Sequence, residues 1–213
     1  MQIIDLSHLL NNNTPVYPGT EKPIFEKANT IENNGFAETK ISMYSHTGTH
    51  MDAPAHMVAG AKPLDAFEAS KFYGNALIID CREFQNHEIT LEFIIPFLES
   101  TKQIDFVLLN TGWSEKWGRS DYFIGFPTLS FSASEYLASL NIKGIGIDAI
   151  SIDRMDTVLF ENHLQLLKKE ILIIENLTNL DSIGNQIFKF LCFPLKFEDA
   201  DGSPVRAVAI VNE

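Results

Sequence analysis

Eleven consecutive residues constrain this chain more than any others: His46-Thr47-Gly48-Thr49-His50-Met51-Asp52-Ala53-Pro54-Ala55-His56. Three of the six histidines lie here, with one aspartate among them. Neutral imidazole and carboxylate ligate zinc, manganese or iron, and gathering four such groups from so short a stretch costs little chain entropy. His46 and His50 have the i, i+4 spacing that a helix would place on one face. The intervening Thr-Gly-Thr is a poor helix sequence, and Lys40 to Ser45 alternates polar and apolar as a strand does. The reading is therefore a strand, Glu38 to Ser45, with His46 at its end and a glycine-containing loop that curls round an ion. Pro54 stiffens the path to His56. A polar surface loop accounts well for one histidine and poorly for three with an aspartate.

The remaining composition bounds the setting. With 213 residues the chain can build one sizeable core but hardly two domains. No repeat, low-complexity tract or linker interrupts it, so one domain is expected over 1–213. The net charge of −12 argues against nucleic acid or an anionic membrane as partner, and bound metal would offset part of it. Cys81 and Cys192 both lie beside apolar sequence and are expected as buried free thiols, not as a disulfide framework or a cysteine zinc site. The opening Met1-Gln2-Ile3-Ile4-Asp5 has no basic n-region or long apolar run, so no signal peptide is expected. No run reaches ~18 apolar residues, so no membrane span is expected either. A cytoplasmic enzyme acting on a small molecule is the expectation.

The order of elements is that of an α/β protein with a mixed sheet, without the regular alternation of a doubly wound one. Strands are expected at Ile3–Ser7, Asn75–Asp80, Phe106–Asn110, Gly144–Asp148 and Ile171–Glu175, and near 188–193 and 205–211. Helices are expected from Pro63 to Phe72, from Thr90 to Ser100 with a kink or break at Pro96, and after a capping box at Ser132-Ala133-Ser134-Glu135. Gly144 and Gly146 make no dinucleotide fingerprint. His87-Glu88 lacks the second histidine of a His-Glu-x-x-His zinc helix, because position 91 is Leu91, so His87 reads as a surface residue. His8 reads as a hydrogen-bonded structural histidine. Val158 to Lys169 reads as an amphipathic helix with Leu159, His163, Leu166 and Leu167 on one face, which turns His163 inward. Taken alone, His163 is a satisfied core histidine more often than a ligand. Glu175 ends four apolar strand residues; a carboxylate there must be paired or bound to metal, and the residue alone leaves both options open.

The eleven-residue stretch, as His-x-Gly-Thr-His-x-Asp-x-Pro-x-His, resembles the signature of the metal-dependent cyclase family, which includes bacterial kynurenine formamidases (arylformamidases) and isatin hydrolases. Further similarities are Asp5-Leu6-Ser7-His8, Thr111-Gly112-Trp113 after its strand, and Asp201-Gly202-Ser203-Pro204 followed by Arg206. Tyr17-Pro18-Gly19-Thr20 stands where the kynurenine formamidases resemble Trp-Pro-Gly-Asp; an aromatic there would stack on a flat substrate ring. The resemblance implies a swivelling β/β/α domain whose mixed sheet curves toward a barrel, and a homodimer or larger assembly. It also places His163 and Glu175 where the family supplies its remaining metal ligands. His46, His50 and Asp52 would then hold one ion. Asp52 would bridge to a second ion completed by His163 and Glu175, and zinc and manganese suit these ligands equally. His56 would be the general acid/base, and Tyr17 a substrate contact.

The implied reaction is hydrolysis of a small amide, N-formyl-L-kynurenine to kynurenine and formate, as in tryptophan catabolism. The lack of any Gly-x-Ser-x-Gly pentapeptide argues against a serine-based arylformamidase. Opening of a cyclic amide such as isatin on the same site is the alternative within hydrolases. A non-catalytic metal- or ligand-binding protein is the alternative outside them, and His56 speaks against it because such a module needs no base.

Overall fold

The computed structural model describes residues 1–84, 87–99 and 103–211. Twelve strands occur among them: β1 Gln2–Asp5, β2 Ile24–Asn29, β3 Glu38–Ser42, β4 His50–Asp52, β5 Tyr73–Asp80, β6 Glu88–Ile89, β7 Phe106–Asn110, β8 Thr128–Leu129, β9 Gly144–Ile147, β10 Leu172–Glu175, β11 Phe188–Pro194 and β12 Gly202–Val211. The helices are α1 Ile31–Asn34, α2 Leu91–Glu99, α3 Phe131–Ser139 and α4 Glu161–Leu167. No helix is long and apolar enough to cross a membrane.

The main sheet runs β12-β11-β5-β7-β9-β10-β4 and closes on itself through β12–β4 pairing, with β1 added along β12. The central neighbours β5-β7-β9-β10 are parallel, whereas β11, β12 and β4 pair antiparallel. This is the mixed, barrel-like sheet that the sequence resemblance implies. The parallel strands are buried on both faces, which explains their nearly unbroken apolar runs. Alternate residues serve two cores. Leu77, Ile79, Val107, Leu109, Ile145, Ile147 and Ile173 point outward against α2, α3 and α4, while Ala76, Ile78, Phe106, Leu108, Leu172 and Ile174 fill the barrel.

β9 would crowd that interior if it carried side chains there. A Cβ on Gly146 would stand 2.5 Å from Leu108 Cδ2 and 2.6 Å from Leu177 Cδ1, and one on Gly144 would stand 3.0 Å from the Phe106 ring. The Gly-x-Gly pair therefore makes room for large neighbours across the barrel.

Several local expectations are corrected. The strand before His46 stops at Ser42, and His46 lies in the turn that follows. β3 pairs with β2 in a separate two-stranded ribbon. His50–Asp52, expected as loop, is a strand held at both edges by β10 and β12. Pro63–Phe72 is two 3-10 turns, Leu64–Ala66 and Ala69–Phe72, because the backbone is extended at Phe67 and Glu68 between them. Pro96 sits inside α2 without ending it; burial of Ile94 in the helix-side core anchors that turn. α3 is capped two residues earlier than expected, by the Ser130 hydroxyl accepting from the Ala133 amide. α4 begins only at Glu161, since Phe160 is left-handed at φ 47° and Leu159 faces solvent. Cys81 and Cys192 are free and buried, and burial pushes both thiols up.

Gly146→Ala is expected to cost about 1–3 kcal/mol of unfolding free energy through overpacking. A urea midpoint unchanged from wild type would contradict the interior geometry.

Candidate metal centre and substrate cavity

Alternation decides which side chains meet. Leu172 and Ile174 enter the barrel and Ile173 faces the helices, so Glu175 shares the outward face with Ile173. Met51 also enters the barrel, which leaves its neighbours His50 and Asp52 facing outward. The register sets Glu175 opposite His50, and Ile173 opposite Asp52. α4 lies over this corner, with Leu166 and Leu167 in the helix-side core and His163 buried about one turn earlier. The turn before β4 brings in His46.

The five side chains meet at contact distance. His46 Nδ1 is 2.7 Å and His50 Nε2 is 3.3 Å from Asp52 Oδ1. His163 Nε2 is 3.7 Å from the other oxygen, Asp52 Oδ2, and 3.3 Å from Glu175 Oε1. His50 Nε2 is also 3.5 Å from Glu175 Oε2. His46, His50 and Asp52 form one group, and Asp52, His163 and Glu175 another, with donor atoms of each group within 4.8 Å of one another. Asp52 therefore turns one oxygen to each group.

Burial makes this arrangement demanding. Asp52 is 1% and Glu175 4% exposed, and buried carboxylates require partners or metal. Nitrogen and oxygen donors of this kind, without sulfur, suit zinc and manganese. The far nitrogens of the two buried rings are also occupied. His50 Nδ1 is 2.8 Å from the Gly48 carbonyl, and His163 Nδ1 is 2.7 Å from Asp153 Oδ2. With those nitrogens as donors, each Nε2 lone pair is free to face the centre. Asp153 is fixed in turn by accepting from the Asn162 and His163 amides at 3.1 and 3.0 Å.

The protonation of the residues by themselves follows from the same contacts. Burial opposes a charge on His46, but Asp52 and Asp201 outweigh it and hold the ring up to about 10. Burial likewise opposes charge on His163, and Asp153, Asp52 and Glu175 raise it well above the usual histidine value. Asp52 is held well below its usual range: burial opposes this, and His46, His163 and His50 overcome it. His56 is the reverse case. Burial pushes it down to about 4, aided by His46 and His163 and opposed by Asp52 and Asp201.

His56 ends the 3-10 turn that Pro54 begins. Its ring lies 3.9 Å from that of His46 and 6.4 Å from that of His163, centroid to centroid. All six residues, together with Tyr17, line one cavity of about 580 Å³. Tyr44, Met57, Ile150 and Phe160 add apolar wall. These four, with Asp153 and Asp201, were not singled out from sequence as site residues. Asp201 opens the Asp201-Gly202-Ser203-Pro204 stretch that resembles the family, but that resemblance gave it no role, and nothing in the local sequence marked Asp153. His8 stays out of the site. Its ring stacks on Trp117 at 4.0 Å, but its buried Nε2 has no hydrogen-bond partner, contrary to the expectation, and burial lowers it to about 4. His87 is exposed.

Comparison with known proteins gives the family. Residues 4–154 match the family model described as "Putative cyclase". A kynurenine formamidase of Bacillus cereus is 34% identical over 208 residues, covering 96% of this chain and 95% of that protein. An uncharacterized protein of Methanocaldococcus jannaschii is 36% identical over 213 residues, covering 99% of this chain and all of its own. An isatin hydrolase bound to the product analogue thioisatinate superposes with a TM-score of 0.91 at 25% identity, over 100% of this chain and 93% of that one. Isatin hydrolase A from Labrenzia aggregata gives 0.90 at 28% identity, over 100% and 94%.

The surrounding carboxylates outweigh burial at His46 and His163 and favour the protonated rings when no ion is bound. An ion taking His46 Nδ1 and His163 Nε2 must displace those protons, so apparent affinity rises with pH through neutrality. Calorimetry in buffers of different ionisation enthalpy should show release of protons at pH 7. A buffer-independent heat would contradict this account.

Proposed function

The chain belongs to the cyclase family of metal-dependent hydrolases, and from that premise we propose that it hydrolyses the formamide of N-formyl-L-kynurenine to kynurenine and formate. The observation that carries the proposal is the joining, in one cavity, of a buried five-donor cluster with a histidine held neutral at its rim. The full-length similarity to a kynurenine formamidase supports the substrate.

In this reading His46, His50 and Asp52 hold one divalent ion, and Asp52, His163 and Glu175 a second, zinc or manganese. Such ions polarise a substrate carbonyl and make water a competent nucleophile near neutral pH. The chain's own residues do the rest. Asp52 fixes the spacing of the two groups because each of its oxygens faces one of them. His56 is neutral at pH 7, as a general base must be. It accepts a proton from the attacking water and returns one to the leaving nitrogen. Ring-bearing walls at Tyr17, Tyr44 and Phe160 suit a flat aryl group, and about 580 Å³ lies within the ordinary range for a small-molecule site.

A second reading has an observation of its own. The two isatin hydrolases share this fold over the whole chain, and Tyr17-Pro18-Gly19-Thr20 departs from the formamidase pattern. Opening of a cyclic amide would use the same cluster and the same base. Rates on N-formyl-L-kynurenine and on isatin, with metal-stripped protein reloaded with zinc or manganese, separate the two. A kcat/KM of about 10⁴ M⁻¹s⁻¹ or higher on the formamide is expected. A negligible rate with metal demonstrably bound removes kynurenine from the account. His56→Ala should lower kcat about 10²–10⁴-fold with metal content unchanged, and full activity in that variant would refute the role given to His56.

The proposal extends to a homodimer or larger assembly. The β2–β3 ribbon pairs with no other described strand, and Ile24 and Ile41 on it are about half exposed (51% and 53%). An isolated two-stranded ribbon is marginal in water, so a second copy of the chain is the expected cover. Light scattering on a sizing column should give at least twice the 23.9 kDa of one chain; a monomer would remove this part of the proposal.

A further inference from the structure

We propose that Asp201 is a positioning residue for the metal centre: it accepts the Nε2–H of His46, so that Nδ1 is the nitrogen presented to the ion. The proposal rests on the reading of His46 as a metal ligand and adds a residue that this reading did not contain.

Three observations support it. The first is the geometry of the ring. His46 Nδ1 faces Asp52 Oδ1 at 2.7 Å, and the opposite nitrogen, Nε2, faces Asp201 Oδ2 at 3.0 Å. One side of the ring therefore addresses the cluster and the other a carboxylate outside it.

The second is the room made for the ring. Gly202 stands opposite Asp52 in the β12–β4 register. A Cβ there would lie 2.4 Å from His46 Cε1, 2.7 Å from Nε2 and 2.9 Å from Nδ1. The imidazole thus packs flat on the backbone of residue 202, where only glycine leaves space. The preceding backbone is pinned as well. The Asp201 carbonyl accepts from the Ala53 amide at 2.9 Å, the Ala200 carbonyl accepts from the Leu64 amide at 2.8 Å, and the Ala200 amide donates to Asp65 Oδ1 at 3.1 Å. Asp201-Gly202 therefore acts as a two-residue cradle, with the glycine admitting the ring and the aspartate taking its N–H.

The third is the pattern across the cluster. His50 gives its far nitrogen to the Gly48 carbonyl, and His163 gives its own to Asp153. With Asp201 on His46, all three histidines of the cluster have the nitrogen away from the centre facing an oxygen acceptor. Such outer contacts set tautomer and orientation and raise ligand basicity. Asp201 Oδ2 also lies 3.9 Å from His56 Nδ1, so the same carboxylate faces both the ligand and the proposed base.

The test uses full-length wild type, Asp201→Asn and Asp201→Ala, stripped of metal and titrated with Zn²⁺ against a chelator. A parallel titration with Co²⁺ is followed by its visible spectrum. Asp201→Ala should bind the His46 ion about 10–100-fold more weakly and shift the Co²⁺ spectrum. Asp201→Asn keeps an oxygen acceptor but not the charge, and should lose less, about tenfold. A purely structural role for Asp201 would lower thermal stability without altering the Co²⁺ spectrum. If the alanine variant does not fold, the asparagine variant decides. Affinity within twofold of wild type and an unchanged spectrum overturn the proposal. No substrate enters these measurements, so failure of the formamide and isatin assays leaves the outcome readable. A wild-type protein that takes up no divalent ion overturns both readings; one that does, with an unaffected Asp201→Asn variant, overturns this one alone.

Discussion

Two buried carboxylates, Asp52 and Glu175, set the terms for the rest of the molecule. Taking an isolated carboxylate out of water costs several kcal/mol even after relaxation, and both lie at the junction of β4 and β10 with almost no exposure. The protein answers with three imidazoles aimed at them. Those imidazoles balance the charge as protonated rings or, with protons displaced, share the carboxylates with divalent ions. Either way the carboxylates and histidines are stable only together. This explains why a strand of three residues is held at both edges: β4 is the piece that closes the barrel and also the piece that carries His50 and Asp52.

The sheet's period of two converts this local demand into architecture. One set of alternate residues fills the barrel, the other packs against helices, and the polar cluster occupies the outward set at one corner. Shifting β4 by one residue would send His50 and Asp52 into the apolar interior and Met51 to the side of the polar cluster. Pairing to β10 on one edge and β12 on the other forbids that slip. The same pairing brings Gly202 beneath His46.

Much of this was legible in the chain. The short-range part was plain because His46 to His56 are neighbours in sequence, and the apolar runs of β5, β7 and β10 announced buried strands. The inward turn of His163 followed from helical periodicity even though α4 begins three residues later than the pattern suggests. What periodicity could not supply was long-range placement. Asp201 reaches the site from 155 residues beyond His46, and in sequence it is one acid in a loop of turn formers. The family resemblance of Asp201-Gly202-Ser203-Pro204 marked the stretch without saying which residue it would meet. Pro63–Phe72 and the early end of β3 also went differently: extended backbone at Phe67 and Glu68 splits the first into two turns, and β3 pairs in a separate ribbon with β2. The barrel came from family resemblance, since no strand pattern encodes closure.

The division between cluster and cavity wall also bears on substrate choice. The cluster is built from strands and one helix, rigid elements whose register fixes distances, and it would polarise any carbonyl brought to it. The walls come from Tyr17, Tyr44 and Phe160, which stand outside the strands. Loops tolerate change where paired strands do not. A departure such as Tyr17-Pro18-Gly19-Thr20 can therefore retune the ring pocket without disturbing a single ligand distance. Proteins similar to this chain carry the names kynurenine formamidase and isatin hydrolase on one fold. The separation also means that similarity over the whole chain argues for the chemistry more strongly than for the substrate, because the residues that discriminate substrates are few and lie where the fold constrains them least.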